Sequence, residues 1–228
     1  MKTILKSLLP DRVMPLPILA GPFRRATVYL HPRHALRKVL GIYEHELNGW
    51  LEVVLPRVNT VIDIGANEGY FTFGTAAAFN RLKKRGEVLA YEPEPGAFEK
   101  LRLGAEKRRD GQVKISINKC SVGVSVSSEM TTMNEIARQR SDREFLENTL
   151  IKMDVEGAEI DVIAGASAWL NPTNYFLIEV HKEAFLTELI KTFANRGLKL
   201  KQINQQALPI LGYEARSRAN WWLVSDLS

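Results

Sequence analysis

The sequence predicts an α/β fold, a doubly wound and mostly parallel sheet preceded by an N-terminal extended or helical arm. Three observations carry this expectation. From Asn59 onward, short apolar runs alternate with helical patterns, the signature of strand–helix–strand units. Most of the runs are continuously apolar instead of alternating, as strands covered on both faces are. The chain has 228 residues, 45% hydrophobic and 25% charged, so disordered, collagen-like and disulfide-scaffold classes are excluded.

The first forty residues read as the arm and residues 41–228 as the folded domain. Lys6, Asp11, Arg12 and the prolines at 10, 15 and 17 interrupt every apolar stretch near the start. No h-region of a signal peptide forms there, and no stretch reaches the roughly 18 apolar residues of a membrane span. Residues 1–60 hold nine basic groups against four acidic ones, and the remainder balances. A solvated basic face explains that excess better than a nucleic-acid or membrane partner. A single cysteine, Cys120, permits no internal disulfide, which favours a reducing, cytoplasmic location.

Ile42–Leu55 then reads as a helix, with Tyr43, Glu46, Trp50 and Val54 at helical spacing. The strand candidates are Val61–Ile64, Val88–Tyr91, Val113–Ile117, Leu150–Val155 and Tyr175–Val180, with weaker ones at Leu198–Ile203 and Trp221–Val224. Helices are expected at Gly69–Lys84, Ala97–Arg109, Ala158–Leu170 and Glu183–Arg196. Basic residues close the first, and Gly111 and Gly197 follow the second and last as stop signals.

The segment Val61-Ile62-Asp63-Ile64-Gly65-Ala66-Asn67-Glu68-Gly69-Tyr70 is the most informative. A buried strand enters a glycine turn that opens a helix, which lets a ligand approach the backbone at the strand's carboxyl end. A dinucleotide loop has three glycines and holds a pyrophosphate on the helix N-terminus. Here Asn67 replaces the central glycine, and the carboxylates of Asp63 and Glu68 flank the turn. They disfavour a pyrophosphate and favour a sulfonium and an ammonium, so the loop suits S-adenosylmethionine better than NAD. Glu92, ending the second strand in Tyr91-Glu92-Pro93, is placed to accept ribose hydroxyls. Asp63, Gly65, Ala66, Asn67, Gly69, Glu92 and Asp154 are therefore the expected cofactor-binding residues.

Val61–Tyr70, Tyr91–Pro93, Ile151–Glu159 and Ile178–His181 together resemble the FkbM family of methyltransferases over about residues 40–182. The resemblance implies a class I, Rossmann-like methyltransferase that uses S-adenosylmethionine, and O-methylation of a hydroxyl on a sugar, polyketide or other small-molecule or glycan acceptor. Thr132-Met133-Asn134 departs from the Thr-Leu-Asp that the family commonly carries.

Lys152, Asp154, Glu156 and Glu159 cluster at the end of the fourth strand. Lys152 and Asp154 share one face of that strand, where half-buried charges need partners, so they are expected to pair with each other or with a ligand. Asp154, Glu156 and His181 are the catalytic candidates. Histidine is the usual group to take a hydroxyl proton, although a strand-end histidine bonded to backbone is the plainer alternative. Glu156 also suits a helix dipole with no further role. Asp154, Glu156, Glu179 and His181 have the chemistry of a hard cation site, but no ligand-spacing motif supports one and no metal is expected. Tyr43 and Glu44 read as packing residues, with cofactor contact as the alternative. An RNA methyltransferase anchored by the basic arm and a NAD-dependent oxidoreductase are the rival functions.

Overall fold

A computed structural model describes residues 10–108, 111–140, 143–209, 211–214 and 220–228. The basic residues Lys2 and Lys6, and the expected helix end at Arg109, lie outside the described residues.

The elements in chain order are β1 (Met14–Pro17), β2 (Thr27–Leu30), α1 (Leu36–Leu40), α2 (Asn48–Val54), β3 (Thr60–Ile64), α3 (Tyr70–Arg81), β4 (Gly86–Tyr91), α4 (Pro95–Lys107) and β5 (Val113–Asn118). They continue with β6 (Ser121–Val122), β7 (Met130–Thr131), α5 (Met133–Arg138), β8 (Thr149–Met153), α6 (Glu159–Ala164), β9 (Tyr175–Val180), α7 (Glu183–Ala194), β10 (Leu200–Ile203) and β11 (Trp221–Ser225). The main sheet has seven strands in the order β10-β11-β9-β8-β3-β4-β5. Its five central and distal strands are parallel, and β11 and β10 pair antiparallel at one side. The chain winds outward from β3 to β5, then returns to lay β8 on the other side of β3. The switch point therefore falls between β3 and β8, where ligands of open α/β sheets sit.

Alternate residues feed two cores, as the period of two requires. Val61, Leu150 and Leu177 join the cluster under α3, with Phe71 and Phe79. Ile62, Ile151, Ile178 and Phe176 join the other, with Trp169 and Phe193. Trp222 is buried in the first cluster.

Several elements differ from expectation. Residues 14–30 form an antiparallel hairpin whose Val28 and Leu30, with Ile18 and Phe23 between the strands, are buried with Val61 and Phe79. Pro15 and Pro17 fit this short two-stranded pair because their missing N–H groups can face away from the partner. The helix expected at Ile42–Leu55 is reduced to α2 and a 3-10 turn at His45–Leu47, since Glu44 takes a left-handed φ of 51°. The one expected at Ala158–Leu170 stops at Ala164, where the Gly165 carbonyl accepts from the Asn134 N–H (2.7 Å). β8 ends at Met153, two residues early, and Asp154 beyond it donates its N–H to Ile64 O (3.0 Å). α5 was not anticipated, although its cap is legible: Thr132 Oγ1 accepts from Glu135 N (3.0 Å). Among the described residues no helix is long and apolar enough to cross a membrane.

Candidate active site

The glycine turn after β3 is shaped by its neighbours. Gly65, Asn67 and Gly69 adopt positive φ values of 74°, 48° and 86°. Gly65 N and Ala66 N both donate to Tyr91 O (2.9 and 3.0 Å). A Cβ at position 65 would stand 1.9 Å from Asp154 O, so only glycine lets the turn pass β8. Glu92 joins turn and β4: its Oε2 accepts from Asn67 N (2.7 Å) and its Oε1 from Glu94 N (2.8 Å). Two backbone donors thus orient this carboxylate.

Beside this turn, at the carboxyl ends of β3, β4 and β8, lies a cavity of about 540 Å³. Of the expected cofactor residues, Gly65, Asn67, Glu92 and Asp154 line it, and so does Glu156. Asp63, Ala66 and Gly69 do not. Asp63 is fully buried beneath the turn, where Thr72 Oγ1 donates to Oδ2 (2.6 Å) and Lys152 Nζ lies 3.1 Å from Oδ1. Glu68 is also turned elsewhere, paired with Lys38 at 3.2 Å. Burial raises the Glu68 carboxyl, but the Lys38 ammonium outweighs it and leaves the group below its ordinary value. Glu94, Lys100 and Cys120 line the cavity without having been singled out for it. Burial pushes the Cys120 thiol up, which disfavours the thiolate. Four carboxylates, Glu92, Glu94, Asp154 and Glu156, face the cavity against one ammonium, Lys100.

Lys152 pairs chiefly with Asp63, its direct register partner on the adjacent strand, and donates to Gly65 O (2.6 Å). Asp154 Oδ2 is the more distant partner at 3.7 Å. Burial opposes the ammonium charge, but Asp63 and Asp154 outweigh it and hold Lys152 protonated. A buried lysine is thereby made a permanent cation under the turn.

His181 does not line the cavity but stands beside a residue that does. Its Nε2 is 3.7 Å from Asp154 Oδ1, and its Nδ1 is 2.6 Å from Glu159 Oε1. The bond to Glu159 raises the imidazole above its ordinary value against the effect of burial, and Glu179 and Asp154 add to it. Asp154, Glu179 and His181 bring one ligand-type atom each within 4.8 Å of one another, three of the four residues with cation-binding chemistry; Glu156 does not join them. Each is already engaged inside the protein, Asp154 with Lys152, Glu179 with Asn220 Nδ2 (3.0 Å) and His181 with Glu159.

Tyr43 packs as expected: its ring meets that of Tyr70 edge-on, with centroids 5.3 Å apart, against the first core cluster. Glu44, then burial, then Asp154 raise the Tyr43 hydroxyl well above its usual range, which places Tyr43 in the field of the cavity carboxylate. Glu44 N donates to Glu214 Oε1 (2.7 Å), and Arg37 Nη2 donates to the carbonyls of Leu211, Gly212 and Tyr213 (2.8, 2.9 and 3.0 Å). Asn134, the departure from Thr-Leu-Asp, is spent on structure: its amide donates to Ser167 Oγ (3.0 Å), and its Oδ1 accepts from Ala168 N (3.0 Å).

With the geometry established, comparison with known proteins adds the following. Residues 63–200 match the family described as the methyltransferase FkbM domain. No curated protein matches the chain. Among solved structures, a methyltransferase FkbM from Methylobacillus flagellatus KT superposes with a TM-score of 0.53 at 18% identity, covering 75% of this chain and 44% of that one. The chain therefore spans less than half the length of that protein. Aeropyrum pernix fibrillarin, in complex with natively bound S-adenosyl-L-methionine, gives a TM-score of 0.51 at 14% identity, over 76% of this chain and 68% of that one. At these identities the likenesses establish the fold, a class I, Rossmann-like methyltransferase sheet.

Proposed function

The chain belongs to the FkbM methyltransferase family, and from that premise we propose that it methylates a hydroxyl oxygen of a small-molecule or glycan acceptor. S-adenosylmethionine is the methyl donor. When bound, it supplies an electrophilic methyl carbon on a sulfonium, whose carbon–sulfur electron pair leaves with the sulfur.

The observation that carries the reading is the charge of the cavity, four carboxylates against one ammonium. Such a lining stabilises a sulfonium and an α-ammonium and repels the diphosphate of NAD. Glu92, held by Asn67 N and Glu94 N, keeps lone pairs for ribose hydroxyls. Asn67 and Gly65 supply the wall beside them. Asp154 faces the cavity next to His181, so the acceptor proton passes to His181 Nε2 or to Asp154 as the acceptor oxygen bonds the methyl carbon. Positioning of the two reactants supplies most of the rate.

A small acceptor is favoured over RNA by two features. The cavity lining itself is acidic, with Glu92, Glu94, Asp154 and Glu156 against Lys100, which opposes phosphates. Four of the nine basic residues in the N-terminal segment are engaged within the chain: Arg24 pairs with Glu52 and Arg33 with Asp11 at the surface, Lys38 with Glu68, and Arg37 with the 211–213 carbonyls. A cytoplasmic location follows from the same reading, with Cys120 unpaired.

Calorimetric titration with S-adenosylmethionine, S-adenosylhomocysteine and NAD tests the reading. The first two should bind and raise the melting temperature by linkage. Binding of NAD, with no binding of either adenosyl compound at millimolar concentration, would refute it.

A further inference from the structure

We propose that Glu159 is the positioning residue of the proton-transfer step, holding the His181 ring by Nδ1 so that Nε2 faces the Asp154 end of the cavity. The inference rests on the methyl-transfer reading for its purpose, but its geometry stands independently.

Glu159 opens α6, and an acidic residue at that place is ordinarily explained by the helix dipole alone. That explanation would leave the side chain in solvent. Instead Glu159 is fully buried, with Oε1 accepting from Gly157 N (3.2 Å) and lying 2.6 Å from His181 Nδ1. Gly157, at a left-handed φ of 86°, turns its N–H toward this carboxylate. An ionised carboxylate only accepts, so the Nδ1 position must carry the hydrogen. The neutral ring is then the Nδ1–H tautomer, and its only free lone pair is on Nε2, 3.7 Å from Asp154 Oδ1. Nε2 is therefore the atom that His181 offers to a hydroxyl proton.

The balance of the step is closed. The acceptor O–H bond breaks toward Nε2, the oxygen pair bonds the methyl carbon, and the carbon–sulfur pair goes to sulfur. The imidazolium formed lies among Glu159 from α6, Glu179 from β9 and Asp154 after β8. Two lysines belong to this neighbourhood: Lys152, paired with Asp154, and Lys182, the next residue in the chain, whose Nζ would lie 3.3 Å from a Cβ at Gly157. Charge stabilisation of the protonated ring by a fixed carboxylate follows the logic of serine-hydrolase triads, with a different nucleophile.

Nitrogen-15 spectra of the imidazole side chains test this without a known acceptor. The chain has four histidines, and His181→Asn identifies the resonances of His181. Above its titration midpoint, wild-type His181 should show the Nδ1–H tautomer. Glu159→Gln should lower the midpoint by about one pH unit and abolish that tautomer preference. A neutral wild-type ring protonated on Nε2 overturns the proposal, and that spectrum needs no variant. An unchanged midpoint and tautomer in folded Glu159→Gln overturns it equally. Titration of the same samples with S-adenosylhomocysteine separates the two readings. Failure of the wild type to bind refutes methyl transfer and leaves the tautomer result standing. Wild-type-like binding by Glu159→Gln with an altered tautomer supports the positioning role.

Discussion

Asp63 and Lys152 face each other in register across β3 and β8, and their side chains form an ion pair of 3.1 Å with exposures of 0% and 7%. The pair sits beneath the glycine turn, and Lys152 also holds the Gly65 carbonyl. Two acidic or basic neighbours in a core would be costly singly. Together they brace the turn that forms one wall of the donor cavity.

Breaking that pair from either side leaves an uncompensated buried charge. Lys152→Met and Asp63→Asn are each expected to cost about 3–5 kcal/mol. For a domain of this size that is roughly a 10 °C fall in melting temperature. The double variant should recover most of the loss, as measured by thermal unfolding followed by circular dichroism. If it is no more stable than the single variants, the coupling between the two groups is absent.

Glu92→Ala should weaken S-adenosylhomocysteine binding about tenfold or more, since charge-assisted hydrogen bonds to the ribose are lost. The same change frees Asn67 N and Glu94 N, so the turn should also loosen. Isothermal calorimetry at several temperatures measures the affinity. Equal affinity in the variant would remove Glu92 from the binding residues.

Gly65→Ala should cost the fold as well as the ligand. Its Cβ would meet a backbone oxygen, Asp154 O, at 1.9 Å, and no side chain can move aside to admit it. The left-handed φ adds strain for any residue with a side chain. Expression in the soluble fraction and the melting temperature of the variant report this. A variant that melts with the wild type would mean that the turn and β8 separate without cost.

Stability should respond to pH through His181. Its folded value is raised by Glu159, so the fold binds the proton more tightly than the unfolded chain does. The stabilisation is complete below about pH 6.5, the ordinary histidine value. It is lost as pH rises through the raised folded value. Glu159 acts in the opposite window: its value is lowered although burial opposes this, because the bonds from His181 and the backbone prevail. Its contribution is lost as pH falls through that lowered value. Urea unfolding across the neutral range should show the decline toward alkaline pH, and His181→Asn should flatten it. A profile identical in both proteins would detach His181 from the titration.

The sheet was legible because its strands are buried on both faces and read as continuous apolar runs; Tyr175–Val180 is found where the pattern put it. The lining of the cavity by Gly65, Asn67 and Glu92 was legible for a related reason. Gly65, Asn67 and Glu92 lie within or directly after such strands, so their place at the carboxyl edge follows from topology. Asp63 illustrates the limit. Strand alternation puts it on the face of Val61, under α3, and a motif that groups it with Gly65 does not reveal that the two face different surroundings. Lys152 pairs with Asp154 as expected but has Asp63 as a nearer partner, because register between parallel strands is a property of pairing, which a single strand's sequence does not carry. The contributions of Tyr43, Glu44 and Glu214 come from segments about 170 residues apart that meet by tertiary packing. Glu159 had a local signal, an acid at a helix start, but only burial distinguishes its bond to His181 from a dipole effect.

The passage of the glycine turn against the carbonyl of Asp154 ties two walls of the cavity together. Asp154 N is bonded to Ile64 O, and Asp154 O fills the space that a side chain at position 65 would need. On the proposed reading, donor recognition and proton handling therefore share a single mechanical joint. Redesign of this enzyme for new acceptors is best directed at side chains around that joint, because any remodelling of its main chain would disturb the grip on the methyl source at the same stroke.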